Sequence, residues 1–79
     1  MEERELTFGE KLVGLTFNPS GDVNVQRAKE LCAELADLLR DNLILPPGFN
    51  SIKADLYRNA VGEILNAQMN VVKVLTFKE

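Results

Sequence analysis

The chain has 79 residues, a formal net charge of −3, no histidine and a single cysteine, Cys32. At this length a fold buries only about 60% of the surface that its unfolded chain exposes. With neither a disulfide nor a Cys/His zinc set within reach, the remaining reinforcement is oligomerisation. The negative charge argues against a DNA or RNA polymer as partner, and the missing histidine removes the Ser-His and Cys-His nucleophile pairs. No apolar run approaches the roughly 18 residues of a membrane span, and Met1-Glu2-Glu3-Arg4-Glu5 is acidic where a signal peptide is basic, so the chain reads as cytosolic. These exclusions leave room for a ligand with two or three phosphates, which needs only a few local cations and an apolar surface for its bases.

Taken in order, Thr7 followed by Glu10 is a capping-box signature, which predicts a short helix over Phe8 to Val13 that Gly14 can end. Asn18-Pro19-Ser20-Gly21 then has the residue order of a type I turn, with Asn able to hydrogen-bond the backbone that follows, so Phe17 sits beside a rigid corner. Asp22 can cap a helix from Val23 to about Asn42. Val25, Ala28, Leu31, Cys32, Leu35, Ala36, Leu38 and Leu39 fall on one side of it and are expected to face the core. Glu30, Glu34, Asp37 and Asp41 recur at helical spacing and read as a solvated face. Leu43-Ile44-Leu45-Pro46-Pro47-Gly48 breaks the helix.

Ser51 can cap a last helix over about Ile52 to Thr76, roughly 37 Å long at 1.5 Å per residue. Its apolar positions, Leu56, Ala60, Val61, Ile64, Leu65, Ala67, Val71, Val72, Val74 and Leu75, cover about half the circumference, well beyond the ~100° stripe that one partner helix needs. The expected fold is therefore all-α: an antiparallel helical hairpin with a short N-terminal helix, forming one domain and assembled into a homo-oligomer that covers the spare apolar surface. Gly62 marks either a tolerated polar position or a close approach. Met69 reads as core filler and Cys32 as a small buried apolar residue.

Three arginines have acidic neighbours three residues away: Arg27 with Glu30, Arg40 with Asp37 and Arg58 with Asp55. Lys29 has none among Val25, Gln26, Cys32 and Ala33, and lies at the edge of the apolar arc. It is either a lysine snorkelling beside a helix interface or, with Phe17, half of a site in which a ring stacks on a base and a cation holds its phosphate. Phe17 has its own alternative as a hydrophobic staple at the hairpin end, and Phe8 has the same two readings. Backbone amides around Ser20 and Gly21 could add to an anion site, although Asp22 is beside them.

The stretches FGEK, TFNPSGD and NAQMNVVKVLTFKE resemble a family of small phage proteins, the anti-CBASS cyclic-nucleotide sponges, whose hairpin is shared with the phage anti-Thoeris sponges. The resemblance runs from about Phe8 to Phe77. Relatives often carry Trp where this chain has Asn70 and Phe77. The resemblance implies a cytoplasmic homohexamer, a trimer of dimers, that takes up cyclic dinucleotides and in many cases cyclic trinucleotides between protomers. It implies no cleavage, no cofactor and no metal, so that binding alone keeps the signal from host-defence effectors. It also implies an aromatic residue on the nucleobase and a lysine of the first long helix at the phosphate, which Phe17 and Lys29 match. Lys11, Asn18, Ser20 and Arg27 follow for their place in or beside the matching motifs. Two other functions are consistent with the residues: a sponge for a cyclic ADP-ribose isomer of Thoeris, and a phage protein that binds a host protein through its apolar helix faces. A phosphodiesterase fits least, because the turn lacks His and any cluster of metal-binding carboxylates.

Overall fold

The computed structural model describes residues 5–43 and 52–78, and every described element is helical. The helices are α1 (Phe8–Val13), α2 (Val23–Asp41) and α3 (Ile52–Thr76). The Ser51 cap and most of the Leu43–Gly48 break fall outside the described residues.

Three of the helix boundaries have a chemical cause in their own residues. The Thr7 hydroxyl accepts the Glu10 N–H at 3.1 Å while the Glu10 carboxylate accepts the Thr7 N–H at 2.9 Å, a reciprocal capping box that starts α1. Gly14 ends it at φ 66°, a left-handed conformation that costs glycine nothing. In the turn that follows, the Gly21 N–H donates to the Asn18 carbonyl at 3.1 Å. The Asp22 carboxylate then accepts the N–H groups of Asn24 at 2.7 Å and Val25 at 3.3 Å and starts α2.

Two helix pairs make the layer. α1 lies antiparallel along α2, with Gly9 at their crossing. A Cβ built on Gly9 would stand 2.0 Å from the Ala33 carbonyl oxygen, so only glycine lets the two backbones approach this closely. Asp37 secures the same crossing, accepting the Thr7 hydroxyl at 2.7 Å and the Gly9 N–H at 2.6 Å. It is therefore an anchor for the first turn of α1 and not one of a merely solvated row. Nor does it pair with Arg40, whose guanidinium lies 4.9 Å from the centre of the Phe8 ring. The expected Arg27–Glu30 and Arg58–Asp55 pairs are present at 3.4 and 2.5 Å, on largely exposed side chains, where such pairs contribute little.

α3 runs antiparallel to α2. Val25 and Lys29, near the start of α2, share one cavity with Val72 and Thr76 at the end of α3, while Leu39 and Leu43 share a recess with Lys53 and Leu56 at the other end. The buried stripe of α2 is Val25, Lys29, Ala33 and Ala36, and that of α3 is Ala54, Ile64 and Gln68. This corrects the expected core face. Leu31, Leu35 and Leu38 are each about half exposed (49–58%), as are several apolar residues of α3. The cause is the close α1 crossing: a seam of Gly and Ala brings helices nearer than leucines can, so the small stripe turns inward and the leucines turn out. The Cα extents of 47 × 39 × 14 Å describe a thin slab.

Gly9 and Gly62 give opposed expectations. Gly9→Ala should destabilise by about 1–3 kcal/mol or more, because a backbone carbonyl stands where the methyl would go. Gly62 is exposed in mid-helix with nothing within 4 Å of an added Cβ, so Gly62→Ala should stabilise by up to about 1 kcal/mol. Urea denaturation of both variants beside the parent protein measures the two shifts.

Candidate ligand-binding site

The turn between α1 and α2 leaves a cavity of about 490 Å³ at one end of the hairpin. Its wall is mostly apolar, from Val13, Val25, Met69 and Val72, with Phe17 on the rim. Phe17 is 71% exposed, so its ring does not staple the hairpin end. Met69 is exposed and lines the cavity, which corrects its reading as core filler: among the described residues no helix covers the α3 face that carries it.

Lys29 is the organising cation. It is only 6% exposed, and its ammonium donates to the Gly14 carbonyl at 3.1 Å and to the Phe17 carbonyl, 15 and 12 residues back along the chain. The ammonium also lies 5.6 Å from the centre of the Phe17 ring, within cation–π range. The partners that sequence neighbours did not supply are thus backbone oxygens of the preceding turn. An ammonium has three donors; two are committed and one remains for a ligand.

The turn's other polar groups are spent on its own geometry. Asn18 Nδ2 donates to the Asp22 carbonyl at 3.1 Å and to Gln26 Oε1 at 3.4 Å, and Asn18 Oδ1 accepts the Ser20 hydroxyl at 2.7 Å. The Ser20 hydroxyl in turn accepts the Asp22 N–H at 3.2 Å. The amides of Gly21, Asp22, Asn24 and Val25 all have internal acceptors, so of the backbone donors expected at this corner the Gly21 N–H is already taken. Thr76 donates its hydroxyl to the Val72 carbonyl at 2.8 Å.

Four of the residues picked from the sequence, Phe17, Asn18, Ser20 and Lys29, therefore line one cavity. The other three lie elsewhere. Phe8 is at the far end of α1 under Arg40. Lys11 is exposed on α1 and does not line the cavity. Arg27 reaches Glu30 and Glu34 over an acidic groove. Gln68, 6% exposed and on the cavity wall, was not picked; a single amide in an apolar helix gives no sequence signal of its own. Cys32 is half-buried away from the cavity, and burial pushes its thiol pKa up, the reverse of what activates a nucleophile.

No protein-family model, curated protein or solved structure matches this chain. Among the described residues no group of three Cys, Asp or Glu side chains could hold a metal ion, and no helix is long and apolar enough to cross a membrane.

The Lys29 contacts predict a structural cost separate from any ligand. Lys29→Met keeps most of the stem's volume but leaves the Gly14 and Phe17 carbonyls without their donor, which should destabilise by about 1–3 kcal/mol. Thermal unfolding of the ligand-free protein reads the loss, and an unchanged midpoint would contradict the role of Lys29 as the tie between the turn and α2.

Proposed function

We propose that the protein is a phage anti-defence sponge that takes up cyclic oligonucleotide second messengers in the host cytoplasm and holds them without cleaving them. The observation that carries this reading is the cavity that joins the exposed Phe17 ring, the Lys29 ammonium with its spare donor and an apolar wall. The ring offers a stacking surface to a base, worth about 1–3 kcal/mol per base. The ammonium offers charge-assisted hydrogen bonding to a phosphate. Sequestration asks for nothing further, since lowering a messenger's free concentration needs affinity and copy number but no nucleophile. Resemblance of the turn and C-terminal motifs to the anti-CBASS sponges supports the same reading.

Self-assembly belongs to the proposal. The accessible surface is 6223 Å², against the ~4,800 Å² that size scaling gives for a folded monomer of this mass. Leu31, Leu35 and Leu38 follow one another at helical spacing on the uncovered side of α2. Other copies of the chain are the occupant that the slab geometry favours, and a hexamer is the assembly that the resemblance implies. A host protein on the same faces is the competing occupant, and light scattering on the purified chain separates the two: a mass near 8.8 kDa would remove self-assembly.

The direct test is isothermal titration of the purified protein with 3′,3′-cyclic GMP-AMP, followed by heat denaturation and chromatography of the released nucleotide. The expected outcome is binding with intact nucleotide recovered, weakened about 10-fold or more in Phe17→Ala. Lack of binding to this ligand, to cyclic trinucleotides and to cyclic ADP-ribose isomers would overturn the sponge reading. Recovery of a linear product would make the protein a phosphodiesterase.

A further inference from the structure

We propose that Gln68 selects the base: its carboxamide reads a hydrogen-bonding edge of the nucleobase that enters the cavity beside Phe17, and it favours adenine. This inference rests on the binding function proposed above and adds the residue that gives it specificity.

The argument begins with which polar groups are free. Among the polar side chains on the cavity wall, Asn18, Ser20, Lys29 and Thr76 all have partners within the chain. Gln68 is the exception: at 6% exposure its amide has no hydrogen-bond partner among the described residues. The one buried side-chain polar atom without a partner among the described residues is the Tyr57 hydroxyl, so the Gln68 amide opens onto the cavity's water. The amide is not sealed in the core. Gln68 stands on α3, in the cavity wall with Met69 and Val72, while Phe17 and Lys29 line it from the turn and α2. A planar ligand resting on the ring would turn an edge towards α3, where a carboxamide offers an acceptor and two donors.

The chemistry of that group indicates the base. A carboxamide presents C=O and N–H side by side, and its best-matched base edge is adenine's, where N6–H donates to the oxygen and N7 accepts from the nitrogen. Such a bidentate pair discriminates against the wrong base by about 1–3 kcal/mol, roughly 5- to 150-fold in affinity. Lys29 cannot supply this selectivity, because an ammonium has no acceptor and two of its donors already hold Gly14 and Phe17. Phe17 cannot either, because every base has a face to stack.

The test is a two-by-two comparison. The parent protein and Gln68→Met, which keeps side-chain length and helix propensity, are each titrated with 3′,3′-cyclic GMP-AMP and with its 7-deazaadenine analogue, which lacks only the N7 acceptor. The expected result is an affinity loss of about 5-fold or more on 7-deaza substitution in the parent and none in Gln68→Met, with both proteins folded by thermal unfolding. Binding by the parent with no 7-deaza penalty, or the same penalty in both proteins, would overturn the role of Gln68 and leave the sponge reading standing. Failure of the parent to bind the unmodified nucleotide would remove that reading and this inference with it.

Discussion

The end of the hairpin that carries the cavity depends on one interaction, the buried Lys29 ammonium held by the carbonyls of Gly14 and Phe17. A charge taken out of water must be repaid in hydrogen bonds, and here the acceptors are backbone oxygens at the start and in the middle of the short connection between α1 and α2. That makes the connection's geometry a condition of burying the lysine. The left-handed Gly14 turns the chain back over α2, and the Asn18–Gly21 turn returns it to the Asp22 cap. Between them Phe17 has its carbonyl drawn inward and its ring left outside. The exposed ring and the buried cation are thus two results of one arrangement.

The second constraint is the seam between α1 and α2. Gly9 against the Ala33 backbone, with Asp37 capping the first turn of α1, is a polar and close-packed contact where a short helix could have been expected to dock through apolar side chains. Six residues form too short a helix to persist on propensity alone, so α1 exists because α2 provides both its footing and an acceptor for its free N–H groups. The consequence is felt on the far side. Inward positions taken by Ala and Lys leave Leu31, Leu35 and Leu38 of α2 facing out, and among the described residues the buried apolar core is Val13, Val25, Ala33, Ala36, Ala54 and Ile64. A slab with so little interior is a building block, which is the physical reason for placing assembly inside the proposed function.

Much of this was legible in the sequence, and what was not has a common cause. The capping box, the Asn-Pro-Ser-Gly turn, the Asp22 cap and the three helical segments are local signals, and local chemistry decides them. The inward face of α2 was misread because periodicity locates an apolar arc and cannot say which edge of it a neighbour will cover. The close approach at Gly9 decides that, and it is a contact between residues 24 apart in the chain. Asp37 was assigned to solvent for the same reason, since its partners lie 28 and 30 residues away. Lys29 stood out because it lacked a carboxylate nearby, and that absence identified the right residue while giving no hint that carbonyls would hold it.

The same reasoning separates the roles of residues within the cavity. Asn18 and Ser20 were picked for their place in a motif, yet their hydrogen bonds are closed within the turn. A ligand that used them would have to break bonds that shape the site. Gln68 stands in the opposite position: it supports no element and holds no neighbour, so a ligand gains its full hydrogen-bonding capacity at no structural cost. Its amide opens onto the cavity, so a matching base edge replaces water there, and what Gln68 contributes is selectivity between bases and not a general gain in affinity.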